Sequence, residues 1–233
     1  MNESASYETG AARDEACGIH VTPVYIEGIP TIYRCYTTVK CRGFARQELD
    51  TEVEILDAAG TLLEAHGAAG LTTRAVCEAA GIKAPTLYHH FGDKDGLERA
   101  LVRRGMAEFM QRKRAPAATA DLLEQLRFGW DVAVEFALKR PALYALFAQQ
   151  ARSDPDLAAE GYALMHARVQ RLVDTGRFRR PVDVAARAVW AASQGALSLV
   201  GQNLARKDIE ATSRLLFDAV VSELSRPPSD SSG

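Results

Sequence analysis

Glycine punctuation between residues 67 and 92 limits what this chain can fold into. In the preceding stretch TEVEILDAAGTLLEAHG, apolar residues recur at the 3.6-residue period of an amphipathic helix. Gly67 and Gly70 are placed to end that helix. Two segments of about eight residues follow, one ended by Gly81 and the other by Gly92. The pattern predicts a long helix followed by two short ones.

The two short segments carry the end signals of a helix-turn-helix. Thr72 or Thr73 can cap the first segment, and Gly81 can take the left-handed conformation in the turn. Pro85 lies in the first turn of the second segment, where no N–H is needed, and Asp93 can cap the helix that follows. The residues predicted to form the small core are Leu71, Val76, Ala79, Ile82, Leu87 and Phe91.

The remaining side chains of the short helices are predicted to point outward, and they suit contact with DNA. Small residues at the start of a recognition helix can approach base edges, while hydroxyls and cations reach phosphates. The alternative is a helical corner inside a larger core. The outward residues are Thr73, Arg74, Lys83, Ala84, Pro85, Thr86, Tyr88 and His89.

Residues 51–98 resemble the N-terminal domain of the tetracycline-repressor (TetR) type of transcriptional regulators. The resemblance rests on ILDAAGTLLEAHGAAGLTTRAVCEAAGIKAPTLYHHFGDKDGL, in which TLYHHF is followed by Lys94 and Leu97. It implies a dimer whose paired recognition helices enter successive major grooves of a DNA operator. It also implies a helical C-terminal domain that binds a small molecule, so the expected fold is all-α with two parts.

The same resemblance implies which residues touch DNA. Thr73, Tyr88 and Lys94 would hold phosphates, and residues of the second short helix would lie against bases. The family usually has Ser or Thr and then Gly before TLY, whereas this chain has Ala84 and Pro85. A proline has no N–H to donate to a phosphate. The predicted DNA-binding residues are Thr72, Thr73, Arg74, Lys83, Ala84, Pro85, Thr86, Tyr88, His89 and Lys94.

Charge alone does not mark a nucleic-acid-binding protein here. The formal net charge is −2, and residues 51–114 hold nine basic and nine acidic residues. The DNA prediction therefore rests on local geometry. The alternative function is a helical sensor or interaction module that has lost DNA binding. No catalytic residue or cofactor is predicted, because the chain has no GxSxG, HExxH, Walker or Rossmann fingerprint.

The adjacent histidines His89 and His90 raise the question of a metal site. Neighbouring side chains on a helix point about 100° apart and do not converge on one ion, so no metal is predicted. Four cysteines without a CxxC pair predict reduced thiols. Neither a signal peptide nor a membrane span is expected, so a cytoplasmic protein is predicted.

The C-terminal half is predicted to contain five helices, roughly 119–139, 141–152, 155–175, 182–205 and 208–225. Their aromatic residues favour a pocket between facing helices, with plain core packing as the alternative. They suggest an apolar or aromatic effector. The predicted ligand-binding residues are Phe109, Phe128, Trp130, Phe136, Tyr144, Phe147, Tyr162, His166, Trp190 and Gln194.

Small residues in the last two helices predict a homodimer. They let helices approach closely, which favours a two-fold four-helix interface, with packing inside one chain as the alternative. VWAASQGALSL also resembles a TetR subgroup with a Trp and a His-Gly pair in the penultimate helix. This chain has Trp190 but carries Gln194 before the glycine. The small residues are Ala188, Ala191, Ala192, Gly195 and Ala196.

Residues 1–50 differ from the rest of the chain. IHVTPVYIEGIPTIYRCYTTV gives a weak hairpin signal, with disorder or loose packing as the alternative. Arg42 and Arg46 belong either to a basic arm that reaches DNA or to a misassigned start, with the true start near Val39. The predicted division is a poorly structured extension at 1–50, a DNA-binding domain at 51–98, a regulatory and dimerisation domain at 99–225, and a disordered tail at 226–233.

Overall fold

The computed structural model describes residues 13–14, 19–26, 29–35, 39–115, 121–202 and 204–227, with side chains from residue 50 onward. The chain divides into two compact units, Met1–Glu54 and Ile55–Gly233. Most of the predicted tail lies outside the described residues, which end at Pro227.

The first unit contains a small antiparallel sheet in the order β1-β2-β3. Its strands are β1 (Arg13–Asp14), β2 (Ile19–Ile26) and β3 (Ile29–Cys35). β2 and β3 pair from Val21 opposite Cys35 to Ile26 opposite Ile29. These two strands lie in the β-branched runs for which the sequence left a hairpin and disorder open.

From Val39 onward, every regular element among the described residues is an α-helix, which confirms the all-α class predicted for this part. None of these helices is both long and apolar enough to cross a membrane. The helices are α1 (Val39–Gly70), α2 (Thr73–Ala80), α3 (Ala84–Phe91), α4 (Lys94–Arg114), α5 (Leu122–Lys139), α6 (Pro141–Ser153), α7 (Asp156–Asp174), α8 (Val182–Leu197) and α9 (Arg206–Ser225).

Helix α1 begins at Val39, well before the start at residue 51 that the apolar pattern indicates. Periodicity reveals only the part of a helix that buries one face, and Ile55 is the first buried residue of α1 among those with described side chains. The predicted stop at Gly67 is a break, with φ 66° and ψ −173°, before the helix ends at Gly70. His66 is exposed rather than part of the buried face.

Helices α2 and α3 begin and end near the threonine, glycine and proline residues that predicted their limits. The hydroxyl of Thr72 accepts a hydrogen bond from the N–H of Ala75 at 3.2 Å, which caps α2. Gly81 has φ 66° and ψ 27° in the turn, a conformation that favours glycine. The prediction that Ala79 belongs to the core is wrong, since this residue is exposed. The inner face of α2 is formed by Val76 and, one turn later, by Ala80.

Two apolar clusters form the interior of the second unit. One lies among α1–α4 and includes Leu143 and Leu146 of α6. The other lies among α5 and α7–α9, around Phe217 and Val169. Helix α6 therefore packs against the helix-turn-helix part of the chain while it also faces the C-terminal helices.

The C-terminal helices match the predicted spans closely except at α8. That helix ends at Leu197, not at residue 205. The chain turns after it, and Gly201 has φ 92°, which no regular helix continues through. Residues 119 and 120, where α5 was predicted to begin, lie outside the described residues.

Candidate DNA-binding surface and ligand cavity

Helices α2 and α3 present a polar face that their own core contacts leave outside. Val76 and Leu87 are buried between the two helices, so the opposite side chains point outward. The hydroxyls of Thr73 and Tyr88 lie 3.4 Å apart, one from each helix. The Tyr88 side chain is 47% exposed, although it is a large aromatic residue. This pair places two hydroxyls side by side on the outer surface of the two helices.

The start of α3 carries small side chains and a cation. Lys83 is the N-cap residue of α3 and is exposed at the surface. Pro85 occupies the first turn, as predicted. Ala84 and Thr86 are half-buried, and the N–H of Thr86 donates to the carbonyl of Lys83 at 3.0 Å. His89 and Arg74 are exposed on the same pair of helices.

Lys94 connects the end of α1 with the start of α4. Its ammonium donates to the carbonyl of Ala68 at 3.3 Å and lies 3.5 Å from the carboxylate of Glu98. Asp93 caps α4 by accepting from the N–H of Gly96 at 2.6 Å, as predicted. The carbonyl of Ala68 and the carboxylate of Glu98 therefore hold the ammonium of Lys94 in place. A phosphate bound there would share the ammonium with these two groups.

The histidine pair is arranged as two ring neighbours on a helix. The rings of His89 and His90 are 5.5 Å apart at 74°, and His90 also lies against Phe91. Within the described ranges, no three side chains of His, Cys, Asp or Glu come together in a way that could hold a metal.

A cavity of about 310 Å³ lies among α4–α8, within the range typical of small-molecule sites. Its wall is mostly apolar. Six of the residues predicted to bind a ligand line it: Phe109, Phe136, Tyr144, Phe147, Trp190 and Gln194.

Four predicted ligand residues lie outside this wall, because helix packing turns them elsewhere. The indole N–H of Trp130 donates to the buried Oγ of Ser213 at 2.8 Å, so this ring belongs to the core. Tyr162 packs edge-on against Trp190 at 5.4 Å. His166 lies 3.5 Å from Asp183. Phe128 is half-buried and is not a lining residue either.

Lys113 is a wall residue that the sequence prediction missed. It is only 7% exposed, and its ammonium lies 5.2 Å from the centroid of the Phe109 ring. Burial, together with the nearby guanidinium of Arg168, lowers the pKa of this ammonium to about 8. The signal in the sequence is its helical spacing from Met106 and Met110, which also line the cavity.

Arg168 reaches the same place from α7. Its Nη2 donates to the carbonyl of Lys113 at 2.7 Å. Its Nη1 is buried and has no hydrogen-bond partner among the residues that the structure describes. Gly129 of α5 makes room for the guanidinium, since a Cβ there would overlap with Nη1. Both cations line a recess of about 30 Å³, which we call the basic recess.

Known proteins resemble the chain in sequence and in fold. The family described as "Bacterial regulatory proteins, tetR family" matches residues 55–101. The HTH-type transcriptional repressor AcnR of Corynebacterium glutamicum is 30% identical over 142 residues, which cover 56% of this chain and 70% of the repressor. The HTH-type transcriptional regulator BetI of Paraburkholderia xenovorans is 36% identical over 76 residues, or 32% of this chain and 39% of that regulator.

The solved structures agree on the fold. The TetR family transcriptional regulator PfmR from Thermus thermophilus superposes with a TM-score of 0.57 at 22% identity. The match covers 74% of this chain and 99% of PfmR. An N-terminal helix-turn-helix followed by a helical C-terminal part is thus the architecture that the two chains share.

Proposed function

Because the chain belongs to the tetR family of bacterial regulatory proteins, we propose that it represses transcription until a small molecule binds it. It is a DNA-binding transcriptional regulator and not an enzyme. In the proposed cycle a homodimer binds a near-palindromic operator in the cytoplasm. A small molecule that enters the cavity then releases the operator.

The observation that carries the proposal is the outward face of α2 and α3. Thr73 and Tyr88 present their hydroxyls together, and Lys83 stands at the exposed start of α3. Hydroxyls and ammonium groups hold phosphates, and the small residues beside them let α3 approach base edges. Pro85 has no backbone N–H to donate to a phosphate, so we expect side chains to make the phosphate contacts here.

Exposed apolar surface on α8 and α9 supports the homodimer. Ala191 and Gly195 are exposed on α8, and a Cβ at Gly195 would meet nothing within 4 Å. On α9, Leu215 is 68% exposed, and Ala219 follows it one turn later on the same face. A second copy would cover this face with two helices and place two recognition helices on one side of the DNA.

Helix α4 supports the release step because it reaches both sites. Lys94 lies at its N-terminal end beside the DNA-facing helices, and Phe109 and Lys113 lie in its C-terminal half in the cavity wall. A ligand that prefers one position of α4 would shift the population away from the DNA-bound arrangement. A coupling of about 1–3 kcal/mol would lower DNA affinity about 5- to 150-fold.

Fluorescence anisotropy on duplexes that tile the DNA around the gene tests the proposal. The purified protein is titrated at two salt concentrations beside Tyr88→Ala and Lys83→Ala. Lys207→Ala, which removes an exposed lysine of α9, is the matched control. We expect tight binding to one near-palindromic duplex, weakened by salt and reduced about 10-fold by each α3 change but not by the control.

Uniformly weak binding that no variant alters would count against a regulator of nearby genes. Selection of bound fragments from the whole genome then decides between a distant operator and a sensor without DNA binding. Failure of that selection to enrich any sequence would refute the proposed repressor.

A further inference from the structure

One part of the cavity wall is basic and buried, which a purely apolar effector would not require. Lys113 holds an ammonium in a largely apolar wall. Beside it, the Nη1 group of Arg168 is buried without a partner in the described part of the chain. A buried donor of this kind costs free energy unless an acceptor reaches it. An anionic group of a ligand would satisfy both cations at once.

The basic recess lies next to the cavity. It is lined by Lys113 and Arg168 and shares Ala133, Trp190 and Ser193 with the cavity wall. Its volume of about 30 Å³ is about twice the space that one buried water needs, which suits the two oxygens of a carboxylate. The hydroxyl of Ser193 already donates to the carbonyl of Trp190 at 2.9 Å.

The chain's own carboxylates do not neutralise this end of the cavity. Among the described residues, Glu160 is the acidic side chain in the wall, and it is paired with Arg114 at an exposed position. Arg103 adds a further positive charge to the wall. The wall therefore carries a net positive charge, and its complement is an anion.

We propose that the effector is a small organic acid, with an apolar or aromatic body in the cavity and a carboxylate in the basic recess. The inference rests on the proposed function and names the chemical class of its effector. Lys113 and Arg168 would each donate a charge-assisted hydrogen bond to the carboxylate. Phe109, Phe136 and Trp190 would contact the body.

Binding of the acid is expected to change the protonation of Lys113. With a pKa of about 8, its ammonium is charged in about half of the unliganded molecules at pH 8. A carboxylate beside it favours the charged form and raises that pKa, so the complex takes up protons at pH 8. Among the residues that the structure describes, the other charged or titratable groups around the cavity are Arg103, Arg114, Glu160, Arg168 and Tyr144. Burial raises the pKa of Tyr144.

Matched acids and amides test the proposal on the full chain. 3-Phenylpropionate, indole-3-acetate and octanoate are titrated beside their primary amides, with tryptophan fluorescence and calorimetry as readouts. We expect an acid to bind about 10- to 100-fold more tightly than its amide, because the amide loses the charged hydrogen bonds. At pH 8 the enthalpy of binding the acid should vary with the ionisation enthalpy of the buffer.

Two variants locate the effect in the basic recess. Lys113→Met removes the ammonium while keeping an unbranched apolar side chain, and should reduce the preference for acids and abolish the dependence on buffer. Arg168→Gln should reduce the preference, and thermal unfolding checks that each variant is folded. Lys139→Met, the same change at an exposed lysine of α5 outside the wall, should alter neither.

The outcomes separate the acid site from the repressor function. Equal binding of acids and amides, no binding of any of the compounds, or a preference that neither Lys113→Met nor Arg168→Gln reduces would overturn the inference. Operator binding is measured on the same samples. An acid that binds with the expected preference but leaves the operator complex intact would support the acid site and contradict ligand-released repression.

Discussion

The side chain of Lys113 shows why composition hides part of this cavity. Lys113 lies in the run QRKR, between Arg112 and Arg114. Both arginines are exposed and are paired with carboxylates. A basic run of this kind ordinarily indicates a solvated face. The helical period nevertheless places residue 113 on the face of Met106 and Met110. Residue type thus predicts the wrong environment here, while spacing predicts the right one.

Replacing Lys113 with Met is expected to stabilise the unliganded protein at neutral pH. Its pKa is about 8 in the folded chain and 10.5 in the reference state, so folding disfavours the charged form. The cost is fully present below pH 8 and is lost as the pH rises from 8 through 10.5. We expect the variant's free energy of unfolding to be about 2–3 kcal/mol higher at pH 7, with a smaller gain at pH 10.

Urea unfolding at the two pH values measures this gain. Lys139→Met, at an exposed site, should change the stability by less than about 0.5 kcal/mol. A Lys113→Met protein that is less stable than the wild type at pH 7 would show that the ammonium is not desolvated in the folded chain.

Trp130, predicted to bind a ligand, lies outside the main cavity and is a core residue that also lines the basic recess. Its indole donates to the Oγ of Ser213 and packs edge-on against Phe217 at 5.3 Å. Trp130→Phe is expected to lower the free energy of unfolding by about 2 kcal/mol, because the buried hydroxyl loses its partner. A double-mutant cycle with Ser213→Ala should give a coupling of about 1 kcal/mol, and strictly additive effects would contradict the hydrogen bond.

At the scale of elements, helix ends could be predicted wherever backbone chemistry marks them. Gly81 ends α2 in a left-handed turn, and the side chain of Asp93 caps the start of α4. The end of α8 was missed because apolar residues continue past Leu197, at Leu199 and Val200, and no proline interrupts the pattern. The start of α1 was missed because the apolar helical period in the sequence becomes regular only from Ile55 onward.

The junction of α1 with α6 is a contact that sequence reasoning had no means to find. The carboxylate of Glu64 accepts hydrogen bonds from the N–H groups of Ala142 at 3.2 Å and Leu143 at 3.0 Å. N–H groups in the first turn of a helix have no acceptor within the helix, so Glu64 supplies one for α6. The helix dipole also favours an anion at this end. The two residues are far apart in sequence, so only the tertiary fold reveals the pairing.

Glu64→Ala should therefore lower the free energy of unfolding by about 1 kcal/mol, as the loss of a helix cap does. Chemical denaturation followed by circular dichroism measures the change. Glu78→Ala, at an exposed position of α2, serves as the matched control and should be close to neutral. Equal effects of the two substitutions would mean that the cap contributes nothing specific.

For the whole molecule, the order of a helix-turn-helix followed by a helical C-terminal part could be predicted from the sequence. Which aromatic residues face the cavity could be predicted only in part. Phe136 lines it while Trp130 on the same helix does not, because the packing of α5 against its neighbours sets the rotation of each face. The rotation of α5 about its own axis depends on how the helices pack together, so it could not be predicted from residue types alone.

Disrupting the exposed face of α8 and α9 tests the dimer. Ala219→Glu is expected to yield monomers, because charges facing each other across a two-fold axis repel and lose water. Light scattering after gel filtration measures the mass. Ala145→Glu, the same change at an exposed alanine of α6, is the control. A dimer that survives Ala219→Glu would place the interface elsewhere, whereas a monomer should also lose most operator affinity.

The length of α4 makes it a lever. Its 21 residues span about 31 Å at the rise of an α-helix. A tilt of about 5° about the cavity end would carry Lys94, at the other end, through roughly 3 Å. That distance is about one hydrogen-bond length, enough to separate a donor from a phosphate oxygen. A small shift in the packing around the cavity end of α4 would thus be enlarged at its other end to the length of a hydrogen bond.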